Sequence, residues 1–252
     1  MPALERLAGF DHGFSARSGG VSEGFFTSLN LSFTRPESRD NVVENYRRFC
    51  RAAQIPFDRM VMDSYAHETT VLCVDGRDAG KGYLRDPLPS CDGLITNDPS
   101  ITLITGHADC MAFYCIDPVK RCIGLAHAGW RGALGRIGAV VVKGLSNHYG
   151  SNPKDLVIGI GPSICPDCFE VGSNVAGEFA AAFPDIPCVL ERPDQKPHVD
   201  LWMVAAKQFL DAGVLPEHIS LSGVCTAETH RLYSHRRDRG RTGGMAAYLR
   251  IL

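Results

Sequence analysis

Short apolar runs separated by polar or glycine-containing breaks dominate the middle of the chain. Each run holds four to six residues and is bounded by Gly, Pro or Asp, which is typical of strands in a sheet covered on both faces. Several runs follow one another closely, so adjacent strands are expected to pair. The predicted strands are residues 71–74, 101–105, 111–116, 122–126 and 157–160.

Apolar residues at helical spacing alternate with these runs. Asp40 and Asp200 precede two such stretches and are predicted N-caps, because their carboxylates can accept hydrogen bonds from the first backbone N–H groups of a helix. Gly150 and Gly213 are predicted helix ends. The predicted helices span residues 42–53, 132–149, 173–183 and 200–212.

The order of these elements predicts a single domain over residues 1–252. No internal repeat, Pro/Ser-rich linker or block of charge divides the 252 residues. Mixed strands and helices favour an α+β fold, with a mixed sheet whose faces the helices cover and a site at clustered strand ends.

Composition narrows the function without naming it. A formal net charge of −2 offers no electrostatic argument for binding nucleic acid or an anionic membrane. No apolar stretch approaches the ~20 residues of a membrane helix, and no export signal is evident. We therefore expect a cytoplasmic protein, and composition favours no oligomeric state.

Three residues beside the apolar runs predict a metal site. His67, Cys110 and His127 each lie in a short polar break, where side chains can converge at strand ends. Two imidazoles and one thiolate suit zinc, and three protein ligands leave a fourth tetrahedral position for water or substrate. This is the pattern of a catalytic zinc site.

Charged residues near these ligands suggest an anion site. The predicted helix 132–149 begins directly after Arg131, and its N-terminal N–H groups would attract phosphate. Arg17 lies in a glycine-flanked loop. Arg131 and Arg17 are therefore candidates for a bidentate clamp on phosphate or carboxylate, although a surface salt bridge is the commoner role of either residue alone.

The ten cysteines favour reduced thiols rather than disulfides in a chain of this size. Cys225 is expected to be inert, like Cys73, Cys115 and Cys122. Residues 165–168 form the chain's single Cys-x-x-Cys pair, so a zinc ribbon has no support, and a redox role for Cys165 and Cys168 stays open.

Several motifs carry a resemblance to a known family. Taken in order, they resemble the YfiH family, which is also called the polyphenol oxidase or laccase-domain family and peptidoglycan editing factor. The resemblance runs from about residue 10 to the C-terminus, and the block at 127–132 is its most specific part. The motifs are FSARSGGVS (14–22), SLNL (28–31), ADC (108–110), HAGWRG (127–132), GPSI (161–164) and CFEV (168–171).

The resemblance implies a YfiH-like, cysteine-hydrolase-like fold and a zinc-containing purine nucleoside enzyme. Activities attributed to the family are phosphorolysis of adenosine, inosine and methylthioadenosine to free base and ribose 1-phosphate, and deamination of adenosine. The family's metal ligands correspond to His67, Cys110 and His127, with copper as an alternative ion. Purine nucleosides and phosphate are the implied partners.

The resemblance also implies functional residues near the C-terminus. A similar basic ending lies near the family's site, so His235 and Arg236 are expected to contact substrate or phosphate. Asp109 or His107 is expected to assist proton transfer to the departing base. His107 replaces a common Thr or Tyr and is either an additional acid/base group or a competing ligand, while Glu68 replaces a glycine.

Other functions compete with this interpretation. A Cys–His hydrolase would use Cys110 as nucleophile and His127 as base on an amide such as a peptidoglycan precursor. Copper-dependent polyphenol oxidation is less favoured, because the chain lacks repeated His-x-His motifs. The signature of a cytidine-type zinc deaminase is absent from the sequence. A binding module without catalysis is the remaining alternative.

Overall fold

The computed structural model describes residues 2–193 and 195–252. Helices and strands alternate through most of this range. In chain order they are α1 (Pro2–Glu5), β1 (Phe10–Phe14), α2 (Arg39–Ala53), β2 (Met60–Met62), β3 (Val71–Cys73), β4 (Gly93–Thr96), β5 (Thr102–His107), β6 (Met111–Asp117), β7 (Cys122–Ala128), α3 (Trp130–Leu134), α4 (Ile137–Tyr149), β8 (Val157–Ile160), α5 (Ser173–Ala182), β9 (Val189–Leu190), β10 (His198–Val199), α6 (Leu201–Asp211), β11 (Ile219–Leu221) and β12 (Met245–Ile251).

Two mixed sheets form the centre of the fold. The described strands of one sheet are ordered β1-β12-β5-β2, and those of the other are ordered β11-β8-β6-β7-β4-β3. Each sheet combines parallel and antiparallel pairs: β2 runs parallel to β5, for example, while β6 is antiparallel to both β7 and β8. Strands β9 and β10 form a separate ribbon.

Side chains alternate between the two faces of each strand, so the apolar core is divided into layers. Leu103 and Leu249 of the first sheet pack with Tyr114 and Leu125 of the second, so one apolar layer lies between the sheets. The outer face of the first sheet packs against α2. The outer face of the second packs against α4, α5 and α6. Helices thus cover both outer faces, and the α+β class predicted from the sequence is confirmed.

Most predicted elements lie where the pattern places them, but their ends differ. The strand predicted at 101–105 continues to His107, and the one predicted at 122–126 continues to Ala128, because both extensions keep a paired neighbour. The predicted cap at Asp40 is wrong: α2 begins at Arg39, its N-cap is Ser38, and no side chain caps it. Asp200 does cap α6, accepting a 2.8 Å hydrogen bond from the Met203 N–H.

The helix predicted over residues 132–149 is wrong as a continuous element. It is two helices, α3 and α4, separated at Gly135 and Arg136, and Arg136 adopts a left-handed φ of 60°. A Cβ at position 135 would lie 2.6 Å from Thr69 Cγ2, so a larger residue there would require the Thr69 side chain to shift. Residues 130–134 therefore form a separate five-residue helix that contains Arg131, and the long helix on whose N-terminus the phosphate prediction relied is not formed.

Strands at the two ends of the chain escaped the sequence pattern. Strand β1 contains Asp11, His12 and Gly13, which dilute its apolar character, yet it pairs along its whole length with β12.

Among the described residues, no helix combines the length and apolar character needed to cross a membrane.

Candidate active site

Two adjacent strands bring Cys110 and His127 together. Cys110 immediately precedes β6, and His127 is the penultimate residue of β7. In the antiparallel register Met111 lies opposite Ala128 and Ala112 opposite His127. The thiol and the imidazole consequently meet at one end of the β6–β7 pair, as strand-end placement predicted.

His67 reaches the same point from a loop. It precedes β3 and has a left-handed φ of 57°, a costly conformation for a residue with a side chain. The Asp92 carboxylate holds this loop by accepting hydrogen bonds from the backbone N–H groups of His67 (2.9 Å) and Glu68 (2.7 Å). Glu68, which replaces a glycine, is therefore compatible with this loop conformation.

The donor atoms of His67, Cys110 and His127 lie within 4.8 Å of one another. Gly129 permits this crowding: a Cβ there would lie 3.2 Å from both Cys110 Sγ and His67 Cδ2. His67 is exposed, Cys110 is half-buried and His127 is buried, so the cluster opens to solvent on the His67 side.

The cluster is electrostatically coupled. Burial would raise the pKa of the Cys110 thiol, but the adjacent charges of His127 and His67 outweigh it and lower that pKa to about 6. Burial likewise disfavours a charged His127, but the Cys110 thiolate and the Asp92 carboxylate raise its pKa to about 10. The thiol therefore ionises readily, which is what metal ligation or nucleophilic attack requires.

Asp92 fixes the orientation of the His127 imidazole ring. Its Oδ1 accepts a 2.9 Å hydrogen bond from His127 Nδ1, which leaves Nε2 for the cluster. Burial opposes ionisation of Asp92, but the hydrogen bonds from His127 and the two backbone N–H groups keep its pKa below the ordinary value. Nearby Asp63 is also buried, and burial raises its pKa to about 8, so it stays largely protonated at neutral pH.

The predicted acid/base residues both lie at the site but are already hydrogen-bonded. His107 Nε2 lies 2.8 Å from Thr105 Oγ1, and its Nδ1 lies 3.1 Å from the Cys110 carbonyl oxygen. Burial holds the pKa of His107 well below its usual range. The carboxylate of Asp109 accepts hydrogen bonds from Thr226 Oγ1 at 2.6 Å and from the Arg236 backbone N–H at 2.7 Å.

A cavity of about 450 Å³ opens directly over the cluster. His235 and Arg236 line it, as the resemblance implied, and so does Arg35. Arg236 Nη1 donates to the carbonyls of Cys168 (3.1 Å) and Glu170 (2.8 Å), which fixes its guanidinium at the wall. Aromatic lining residues are Tyr65, Trp130 and Phe169. The volume lies in the range of small-molecule sites.

The sequence predicted that Arg17 and Arg131 clamp phosphate, but neither side chain belongs to the described cavity lining. Arg17 stacks on the Tyr233 ring at 4.8 Å, and its Nε donates to the Thr27 carbonyl at 3.1 Å. Arg131 stacks on Trp130 at 4.3 Å. Among the described residues, the cavity lining includes neither arginine. Both guanidinium groups therefore contact the surroundings of the site rather than its interior.

Asp92, Arg35 and Tyr65 were missed by sequence reasoning. Asp92 directly precedes the apolar run that becomes β4, so an acidic residue at the edge of a buried strand was a usable signal. Tyr65 lies across Gly106, where a Cβ would come within 1.2 Å of the tyrosine hydroxyl. Arg35 carries no sequence signal, because its loop reaches the cavity only through tertiary packing.

The chain belongs to the multi-copper polyphenol oxidoreductase laccase family, whose model matches residues 11–252. The family membership expected from the sequence motifs is thereby confirmed. The chain is 34% identical over 241 residues to purine nucleoside phosphorylase YlmD of Bacillus subtilis, a match covering 94% of this chain and 87% of that protein. It is 35% identical over 238 residues to a purine nucleoside phosphorylase of Deinococcus radiodurans, covering 94% and 88% respectively.

Solved structures show the same architecture. The crystal structure of YlmD from Geobacillus stearothermophilus superposes with a TM-score of 0.94 at 34% identity, covering all of this chain and 94% of that one. Hypothetical protein YfiH of Bacillus licheniformis gives a TM-score of 0.92 at 29% identity, covering 99% and 95%. The expected YfiH-like fold is confirmed over essentially the whole chain.

Proposed function

We propose that this protein is a zinc-dependent purine nucleoside phosphorylase acting on adenosine, inosine and methylthioadenosine, with adenosine deamination as a second reaction of the same site. The observation that carries the proposal is the convergence of His67, Cys110 and His127 beneath a cavity that also contains Arg35 and Arg236. Relatives named as purine nucleoside phosphorylases support the substrate class.

The donor set fits zinc. One thiolate and two imidazoles are zinc ligands, and the Asp92 hydrogen bond to His127 is the support that such imidazoles ordinarily have. Zinc bound there would supply a Lewis acid with an open coordination position. Copper sites of this donor set ordinarily add an axial methionine, and the described cavity lining contains none, which favours zinc over a polyphenol-oxidising copper centre.

Arg236 and Arg35 are proposed to bind phosphate. A guanidinium offers two parallel N–H donors to a phosphate oxygen pair, and Arg236 is already held in a fixed orientation by two backbone carbonyls. Arg35 lines the same cavity as Arg236, so its positive charge is available to the same anion. These two arginines replace Arg17 and Arg131 as the proposed phosphate ligands.

His235 is proposed to donate the proton to the departing base. It lines the cavity and is exposed, whereas the Asp109 carboxylate and the His107 ring are committed to hydrogen bonds that shape the site. We therefore assign Asp109 and His107 positioning roles. Phe169 and Trp130 offer apolar faces against which a purine can stack.

Metal analysis combined with product detection tests the proposal. Adenosine, with and without phosphate, would be given to the wild type and to Cys110→Ala, and adenine, inosine and ribose 1-phosphate would be measured. We expect zinc at the His67–Cys110–His127 cluster and phosphate-dependent adenine release in the wild type, and the variant should lose the zinc of this cluster together with adenine release. Full metal content and full turnover in Cys110→Ala would overturn the assignment.

A control variant tests whether loss of turnover is specific to Cys110. Cys73→Ser changes an exposed cysteine remote from the cluster, whose Sγ contacts the Tyr149 hydroxyl, and it should leave turnover unchanged.

Metal-free protein with no nucleoside turnover, but with an electrophile covalently attached to Cys110, would support a Cys–His amide hydrolase instead.

A further inference from the structure

A second cluster of potential ligands lies beside the cavity. The ligand atoms of Cys165, Cys168, Cys225 and Glu228 lie within 4.8 Å of one another. Glu228 Oε1 is 3.5 Å from Cys165 Sγ and 3.8 Å from Cys168 Sγ. All ten cysteines are free, so these thiols are not used in a disulfide.

The fold brings these residues together from two loops. Strands β8 and β11 are parallel neighbours, so the loops that follow them leave the sheet at the same edge. A backbone bridge between Ser163 and Cys225 joins the loops. The Cys165 N–H donates to Cys225 Sγ, 3.3 Å away, which holds the two residues together. Sequence spacing missed the cluster because Cys225 and Glu228 are remote from the Cys-x-x-Cys pair.

The two sulfur–oxygen distances match those around a tetrahedral zinc ion. With Zn–S bonds of ~2.3 Å and a Zn–O bond of ~2.1 Å, tetrahedral geometry separates a sulfur from an oxygen by ~3.6 Å. The observed separations of 3.5 and 3.8 Å lie on either side of that value. Three sulfurs and one carboxylate oxygen are ligands that zinc accepts, and they fill its four positions.

We propose that Cys165, Cys168, Cys225 and Glu228 form a second zinc site, closed by four protein ligands and separate from the His67–Cys110–His127 cluster. Two of the thiols are buried, and Glu228 is exposed, so the ion enters from the solvent side past the carboxylate. Binding displaces the thiol protons into solvent as Zn–S bonds form, with no change in oxidation state.

The second zinc site fastens one wall of the cavity. Ile164 and Phe169 flank the Cys165–Cys168 turn and line the cavity. Thr226, adjacent to Cys225, donates to the Asp109 carboxylate. An ion that ties the two loops together therefore holds these groups in place without touching substrate, as a structural zinc does.

Zinc stoichiometry in a Cys110→Ala background tests this site alone. Protein would be stripped with chelator, equilibrated with Zn²⁺ under glutathione, freed of unbound metal and analysed. We expect about one zinc per chain in Cys110→Ala, none in Cys110→Ala/Cys168→Ala, and about one in the matched control Cys110→Ala/Cys73→Ser. Co²⁺ in place of Zn²⁺ should give strong thiolate-to-metal absorption that disappears with Cys168.

Glu228→Gln covers the case in which Cys168→Ala does not fold. This exposed substitution keeps all three thiols, and it should weaken zinc binding about tenfold in a chelator competition. Equal zinc content with and without Cys168, or a disulfide joining Cys165 to Cys168 or Cys225 under glutathione, would overturn the proposal. Absence of nucleoside turnover in wild-type protein that binds this zinc would instead count against the proposed function alone.

Discussion

The Asp92 carboxylate accepts a 2.9 Å hydrogen bond from His127 Nδ1, although the two residues are 35 positions apart. Gly93, the first residue of β4, lies opposite Ala126 of β7, so antiparallel pairing places Asp92 beside His127. The same carboxylate holds the His67 loop through two backbone N–H groups. One buried acid thus positions two of the three proposed zinc ligands.

Replacing Asp92 with asparagine should weaken zinc binding at the first site by about 10- to 100-fold. The amide keeps the shape of the side chain but places an NH₂ group against donors that need an acceptor. Zinc affinity by chelator competition is the measurement. Asp98→Asn is the matched control, because Asp98 accepts backbone hydrogen bonds from Gly76 and Ser100 away from the site. Equal affinity in the Asp92 variant and wild type would contradict the assigned role.

A methyl group at position 129 should disturb the metal ligands directly. Gly129→Ala places a Cβ 3.2 Å from Cys110 Sγ and His67 Cδ2, although the backbone φ of −71° accepts alanine. Strain of ~1–3 kcal/mol in a tightly packed place corresponds to roughly 5- to 150-fold loss of zinc affinity. Gly177→Ala, where a Cβ meets nothing within 4 Å, should bind zinc normally. Unchanged affinity in Gly129→Ala would show that the ligands lie further apart.

Phosphate binding should depend on Arg35 rather than on Arg17. Arg35→Met removes a charge from the cavity and should raise the KM for phosphate about tenfold or more, because a charge-assisted hydrogen bond contributes ~1.5–3 kcal/mol. Arg17→Met is the matched control, since Arg17 stacks on Tyr233 outside the lining. Steady-state phosphorolysis at varied phosphate measures both, and the reverse ranking would restore Arg17 as the phosphate ligand.

The Cys110 thiol of metal-free protein should react with iodoacetamide at unusually low pH. Burial opposes ionisation, but the charges of His127 and His67 lower the pKa to about 6, so the thiolate is present above that pH and is protonated below it. The alkylation rate should therefore rise through a midpoint near pH 6 rather than near the ~8.5 of an ordinary cysteine. Peptide mass analysis, with Cys110→Ala as the blank, identifies the modified residue. A midpoint above pH 8 would show that the two imidazoles do not stabilise the thiolate.

Local sequence patterns were sufficient to predict the strands and helices that bury apolar side chains on one face or on both. The run that becomes β8 and the Asp200 cap of α6 were predicted correctly, because apolar length and capping chemistry act within a few residues. The break at Arg136 was not predictable in this way. Gly135 lies where a Cβ would meet the Thr69 side chain, and the two residues are far apart along the chain.

By itself, the sequence determined the α+β class and, through its motifs, the family and the candidate ligands His67, Cys110 and His127, because residue type and short motifs are local properties. Tertiary structure alone decided that Asp92 supports His127, that Arg35 rather than Arg17 lines the cavity, and that Cys225 joins Cys165 and Cys168. Each of these relations is a contact between segments that strand register and loop packing bring together. Distances across a sheet are set by that packing, and spacing along the chain carries no record of them.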